Sequence, residues 1–147
     1  DAVDLEKRFL AFMDGITLPG WEATRKGLEA YEKKEHAEGI ARFSESIQAD
    51  PSYNRPYYCR GRSHFDLEDF DKAEADFRKS LELSPEHTAS HQYLARILLK
   101  KKRYAEAREE AELGLLVAPE KEKKLFERLG RQIDRAEKTE QPEPPAP

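Results

Sequence analysis

At 147 residues, with 38% charged side chains, 37% hydrophobic ones and a net charge of −4, the chain has length for one domain but is short for two. It is polar for a compact globule, as a thin fold with much surface per residue would be. The acidic balance gives no sign of a broad polyanion-binding surface, so no nucleic acid is expected as a partner. The single cysteine, Cys59, excludes an internal disulfide and is compatible with a reducing, cytoplasm-like compartment.

Residues 1–19 come first. Leu5, Phe9, Phe12, Met13 and Ile16 recur at helical spacing, and Asp14-Gly15 and Pro19-Gly20 then break the pattern. The expectation is an N-terminal helix and turn that cap the remainder of the chain. A degenerate second helix of an earlier repeat, or a segment docked in a binding groove, are the alternatives.

From Gly20 onward the chain repeats. Pro51, Pro85 and Pro119 are separated by 34 residues and then by 34 again. Aligned on them, three windows appear: 20–53, 54–87 and 88–121. Small residues hold the eighth position (Gly27, Gly61, Ala95), the twentieth (Gly39, Ala73, Ala107) and the twenty-seventh (Ser46, Ser80, Gly114). Such positions let two helix backbones approach closely. The twenty-fourth position carries Phe43 and Phe77, then Ala111, and the seventeenth carries His36, Phe70 and Tyr104. Proline at the thirty-second cannot donate to a continuing helix, so it separates one pair from the next. Second helices show apolar stripes: Ile40, Phe43 and Ile47; Ala73, Phe77 and Leu81; Ala107, Ala111 and Leu115. The links "KKEH", "LEDF" and "KKRY" are polar turns into a new helix.

Beyond Pro119, Phe126, Leu129, Ile133 and Ala136 share one face of a charged stretch. Residues 122–138 are therefore expected to form a terminal helix covering the last open apolar face. The closing 139–147, "TEQPEPPAP", is expected to be disordered or polyproline-like.

The agreement of small, aromatic and proline positions at a 34-residue period resembles the tetratricopeptide repeat, over Gly20–Lys121 in three copies. The first helices depart from the pattern. Ala23, Tyr57 and His91 stand at the usual tryptophan, Lys26, Arg60 and Leu94 at the usual leucine, and Ala30, His64 and Leu98 at the usual tyrosine. The resemblance implies an all-α, right-handed superhelix (an α-solenoid) of three helix-turn-helix repeats, with an extra helix at each end. It also implies a concave face lined by first helices. On that face Arg25, Tyr58, Arg62, Tyr93 and Arg96 are the candidate peptide-binding residues. Arginine grips carboxylates with two parallel hydrogen bonds and tyrosine supplies rigid contact area, so an acidic peptide suits them.

One subtype of the family holds acidic chaperone C-termini in a two-carboxylate clamp of Lys, Asn and Arg. The matching positions here are Thr24, Leu28, Cys59, Ala89 and Tyr93, none of which fits, so that adaptor role is not expected. No glycine-rich phosphate loop, GxSxG or CxxC occurs. His87 and His91 read as surface histidines rather than a metal pair, and Cys59 reads as a buried or half-buried thiol without a base beside it. No catalytic set, metal or cofactor is expected, and no apolar run reaches the ~20 residues of a membrane span. The leading function is a non-catalytic protein-interaction module, with a protein or peptide as partner. Self-association into a homo-oligomer, through the N-terminal helix or the convex face, is the alternative.

Overall fold

The computed structural model describes residues 18–140. The expected N-terminal helix within 1–17 and the tail over 141–147 lie outside those residues. Among the described residues the secondary structure is entirely helical. The seven helices are α1 (Trp21–Glu32), α2 (His36–Ala49), α3 (Asn54–Asp66), α4 (Phe70–Leu83), α5 (Thr88–Lys100), α6 (Tyr104–Val117) and α7 (Glu120–Glu140). α7 runs through Thr139 and Glu140, so it takes in the first two residues of the expected disordered tail. Two compact units divide at Asp69/Phe70: one holds α1 to α3, the other α4 to α7.

All nine small residues at the three repeat positions are buried. In the first unit, a β-carbon on Gly27 would meet the Phe43 ring at 2.5 Å. Glycine at that point lets the fully buried phenylalanine of α2 lie on α1. The hydroxyls of Thr24 and Ser46 share a buried hydrogen bond of 2.7 Å, which joins the same two helices without leaving a polar group unpaired. Tyr57 of α3 donates to the carbonyl of Pro51 across the turn into its own helix.

The second unit repeats these devices with different atoms. Phe77 of α4 stacks on Tyr93 of α5 at 5.1 Å between ring centroids. Ser80 and Ser90 form a buried 2.7 Å hydroxyl pair. Leu94, Ala95, Ile97 and Leu98 of α5 are fully buried. α7 turns Phe126, Leu129 and Ile133 inward. Gly114 of α6 has no β-carbon to collide with the Phe126 ring. Full burial of each large apolar side chain stabilises by about 1.5–3 kcal/mol before the entropy of ordering is subtracted.

Three turns share one conformation. Lys34, Glu68 and Lys102, 34 residues apart, all adopt a left-handed backbone, with φ of 61°, 58° and 59°. In the first turn the amide of Glu35 donates to Ala30 and that of Lys34 to Tyr31. Asp69 and Glu68 donate likewise to His64 and Phe65, and Arg103 and Lys102 to Leu98 and Leu99. This paired bonding satisfies the carbonyls at a helix end and reverses the chain within a few residues.

Candidate functional site

In the first unit the sequence-predicted residues Tyr58 and Arg62 come together on α3, and Tyr31 of α1 joins them. The Arg62 guanidinium carbon lies 4.4 Å from the centroid of the Tyr31 ring and 5.7 Å from that of Tyr58. Its Nη2 donates to the Tyr31 hydroxyl at 2.9 Å. That hydroxyl in turn donates to Asp66 Oδ2 at 2.6 Å. Burial, and then the hydrogen bond to Asp66, push the Tyr31 hydroxyl up to about 12 against the opposing pull of Arg62. Tyr31 therefore remains a neutral donor at physiological pH. Arg62 is held by two rings and a hydroxyl, so a partner carboxylate would meet a cation already fixed in place.

Arg25 is placed differently. It is exposed on α1 and ion-paired along its own helix with Glu22 at 2.6 Å and with Glu29. Two local carboxylates offset its charge. In the second unit, Arg96 sits 5.6 Å from the Tyr93 ring one turn before it. That ring also stacks on Phe77, which anchors it. Tyr31 is the residue that sequence reasoning left out of the binding set. Its partners, Arg62 and Asp66, lie 31 and 35 residues on, close to one repeat away, and that offset is the signal that finds it.

Elsewhere, charge is used structurally. Glu74 of α4 is buried and accepts from Lys101, Arg78 and Arg103 at 2.7–3.0 Å. Burial would raise its carboxyl, but the three cations outweigh that and hold it at about 2. His91, expected at the surface, is instead buried. Its Nε2 lies 2.8 Å from the Pro85 carbonyl and its Nδ1 2.8 Å from Glu110 Oε2. Both neighbours only accept, so the ring fits as a doubly protonated imidazolium. Burial opposes this, yet Glu110 and the Pro85 carbonyl raise its pKa above the usual value. His91 also lines a cavity of about 480 Å³ with Leu81, Leu94, Leu113 and Val117. Cys59 is buried, and burial pushes its thiol up to about 11, which makes it a poor nucleophile. Among the described residues no cluster of His, Cys, Asp or Glu could hold a metal ion, and no helix is long and apolar enough to cross a membrane.

Residues 58–122 match the family model described as tetratricopeptide repeat. The chain carries tetratricopeptide repeats. Its fold is that of tetratricopeptide-repeat domains. It superposes with a TM-score of 0.76 on the TPR2B domain of yeast Sti1 in complex with an Hsp70 peptide, covering 81% of this chain and 98% of that one at 22% identity. It also matches the first TPR of Spaghetti (RPAP3) bound to the HSP90 peptide SRMEEVD, with a TM-score of 0.74 and 20% identity over 80% and 92% of the two chains. Among curated proteins, it is 30% identical over 98 residues to Protein STIP1 homolog of Dictyostelium discoideum, covering 67% of this chain and 17% of that one. It is 27% identical over 68 residues to anaphase-promoting complex subunit 3 of Schizosaccharomyces pombe, covering 46% and 10%. The chain thus spans less than a fifth of either curated relative.

Proposed function

We propose that this chain is a non-catalytic peptide-binding module whose first-helix faces take acidic peptides, with Arg62 as the carboxylate-gripping group of the first unit and Arg96 as that of the second. Tyr31, Tyr58 and Tyr93 hold them and add contact area. Arg25 is the weakest member of the proposed set, because Glu22 and Glu29 already occupy it. The observation that carries the reading is Arg62 fixed between the rings of Tyr31 and Tyr58. A cation immobilised beforehand loses less entropy when it binds. Two of the structures to which the chain is similar are complexes of repeat domains with chaperone peptides, which supports a peptide as the kind of ligand. The chaperone-tail clamp itself is not proposed. Thr24 is buried against Ser46 and Cys59 is buried, so neither matches a polar clamp residue.

The test is a fluorescence-anisotropy screen of the full chain against acidic peptides, with SRMEEVD included as the clamp probe. An acidic peptide should bind with affinity that falls as salt rises. Arg62→Ala should weaken it by about 1.5–3 kcal/mol, the range for a hydrogen bond to a charged group. Equal affinity of wild type and Arg62→Ala would remove the model. A second reading, self-association, is favoured by Leu113, Leu116 and Val117 at the end of α6, where Leu116 is 80% exposed. Light scattering of the wild type and Leu116→Glu decides it: a dimer lost in the variant supports self-association.

A further inference from the structure

α7 carries a second surface that the peptide reading does not use. Lys121, Lys124, Arg128, Arg131, Arg135 and Lys138 follow one another at intervals of three and four residues, and all six are exposed. At about 100° per residue they fall within an arc of roughly 100°. That arc lies opposite the face formed by buried Phe126, Leu129 and Ile133. The stripe is about 25 Å long at 1.5 Å per residue. The ion pairs of α7 use other side chains: Lys123 with Glu120, Asp134 and Glu137 with Arg108, and Glu140 with Lys102. None of the six cations has a carboxylate partner among the described residues. Their mean spacing, about 5 Å, is shorter than the Debye length of about 8 Å at physiological salt, so they act as one field.

We propose that this face of α7 docks on an anionic lipid surface by charge alone. A stripe confined to about 100° of a helix turns its six long, flexible cationic side chains toward one side, where they reach the lipid phosphates and carboxylates of a plane together. Insertion has no part in it, because Phe126, Leu129 and Ile133 are turned into the fold and the stripe itself holds no apolar side chain. The arc holds no aromatic ring for a base to stack on and no side-chain amide to read a base edge, which disfavours nucleic acid. An acidic protein would have to match six exposed charges position by position, for little gain per pair. A fluid leaflet brings its headgroups to the cations instead. Subtracting the stripe's six positive charges from the chain's net −4 leaves −10 on the rest. That remainder is repelled by the same surface, so docking is oriented.

The experiment is vesicle co-sedimentation of the full chain. Vesicles are phosphatidylcholine alone, or with about 30% phosphatidylserine, at 0.1 M and 0.5 M NaCl. The variant replaces Lys124, Arg128, Arg131 and Arg135 with Gln, and its thermal melt is checked against wild type because all four are exposed. Each cation near the surface is worth about fivefold in partitioning. Wild type is therefore expected on anionic vesicles at low salt only, with a fall of at least about tenfold in the variant. Absence of wild type from anionic vesicles at 0.1 M salt overturns the proposal. So does equal binding by the variant, equal binding to neutral vesicles, or retention by a polyuridylate resin without vesicle binding. Peptide affinity through Arg62 is independent of each of these results.

Discussion

Replacing Lys34 and Glu68 with glycine should stabilise this protein, although neither side chain is part of the core. Both residues hold φ near +60° at the end of a first helix, where a β-carbon crowds the following carbonyl at a cost of about 1–2 kcal/mol. Glycine removes that crowding. It also loosens the unfolded chain, which takes back about 0.4–1 kcal/mol. The expected net gain is about 0.5–1 kcal/mol at each site. The two turns lie a full repeat apart, so the gains should add to within about 0.5 kcal/mol. Lys102 is the less clean third site, because glycine there also removes its ion pair with Glu140. The assay is urea unfolding followed by circular dichroism, with the midpoint read at constant slope. A rise in midpoint for each single variant, and a larger one for the double, is expected. A loss of stability in both would refute the idea that these three turns are strained copies of one helix-ending motif.

Gly114→Ala and Gly130→Ala should move in opposite directions in a thermal melt. The first drives a β-carbon into the Phe126 ring and costs about 1–3 kcal/mol, whereas the second has no neighbour within 4 Å and gains about 1 kcal/mol of helix propensity. Glu74 sets an acid limit. Its folded pKa, about 2, lies below the ordinary value of 4.5, so its contribution is present above 4.5 and disappears as pH falls toward 2. The full depression corresponds to about 3 kcal/mol. Arg78 and Arg103 are more than a third exposed, so screening leaves about 1–2 kcal/mol. Glu74→Gln should show that much flattening when stability is measured from pH 6 to pH 2.5. His91 has the opposite sign: its raised pKa stabilises below about 6.5 and the benefit fades as pH rises through the folded value. His91→Gln should abolish that alkaline decline in a pH series of melting temperatures, and an unchanged slope would refute the imidazolium assignment.

The repeat was legible in the sequence because close packing of helix pairs leaves its mark at fixed offsets. Gly27, Phe43 and Ser46 lie at the positions where backbones and rings must fit, and the same offsets recur at Gly61, Phe77 and Ser80. Polar roles were less legible, since a charged side chain chooses its partner in three dimensions. Glu74 and His91 look like ordinary surface residues in sequence, yet both are buried with charged partners that α6 and the turn after α5 deliver. Arg25 illustrates the converse. Its position in the repeat marks it as a binding residue, but Glu22 and Glu29, one turn away on either side, pair with it first. The basic stripe of α7 was hidden by averaging. A net charge of −4 says nothing of six cations gathered on one helix face.

The most direct test of the peptide-binding account is a nuclear magnetic resonance titration of the isotopically labelled chain with an acidic peptide found in the screen. The Arg62 side-chain Nε–H signal and the rings of Tyr31 and Tyr58, all in the first unit, should shift together and saturate with one affinity. Saturating shifts confined to other surfaces, with those three side chains unmoved, would contradict it.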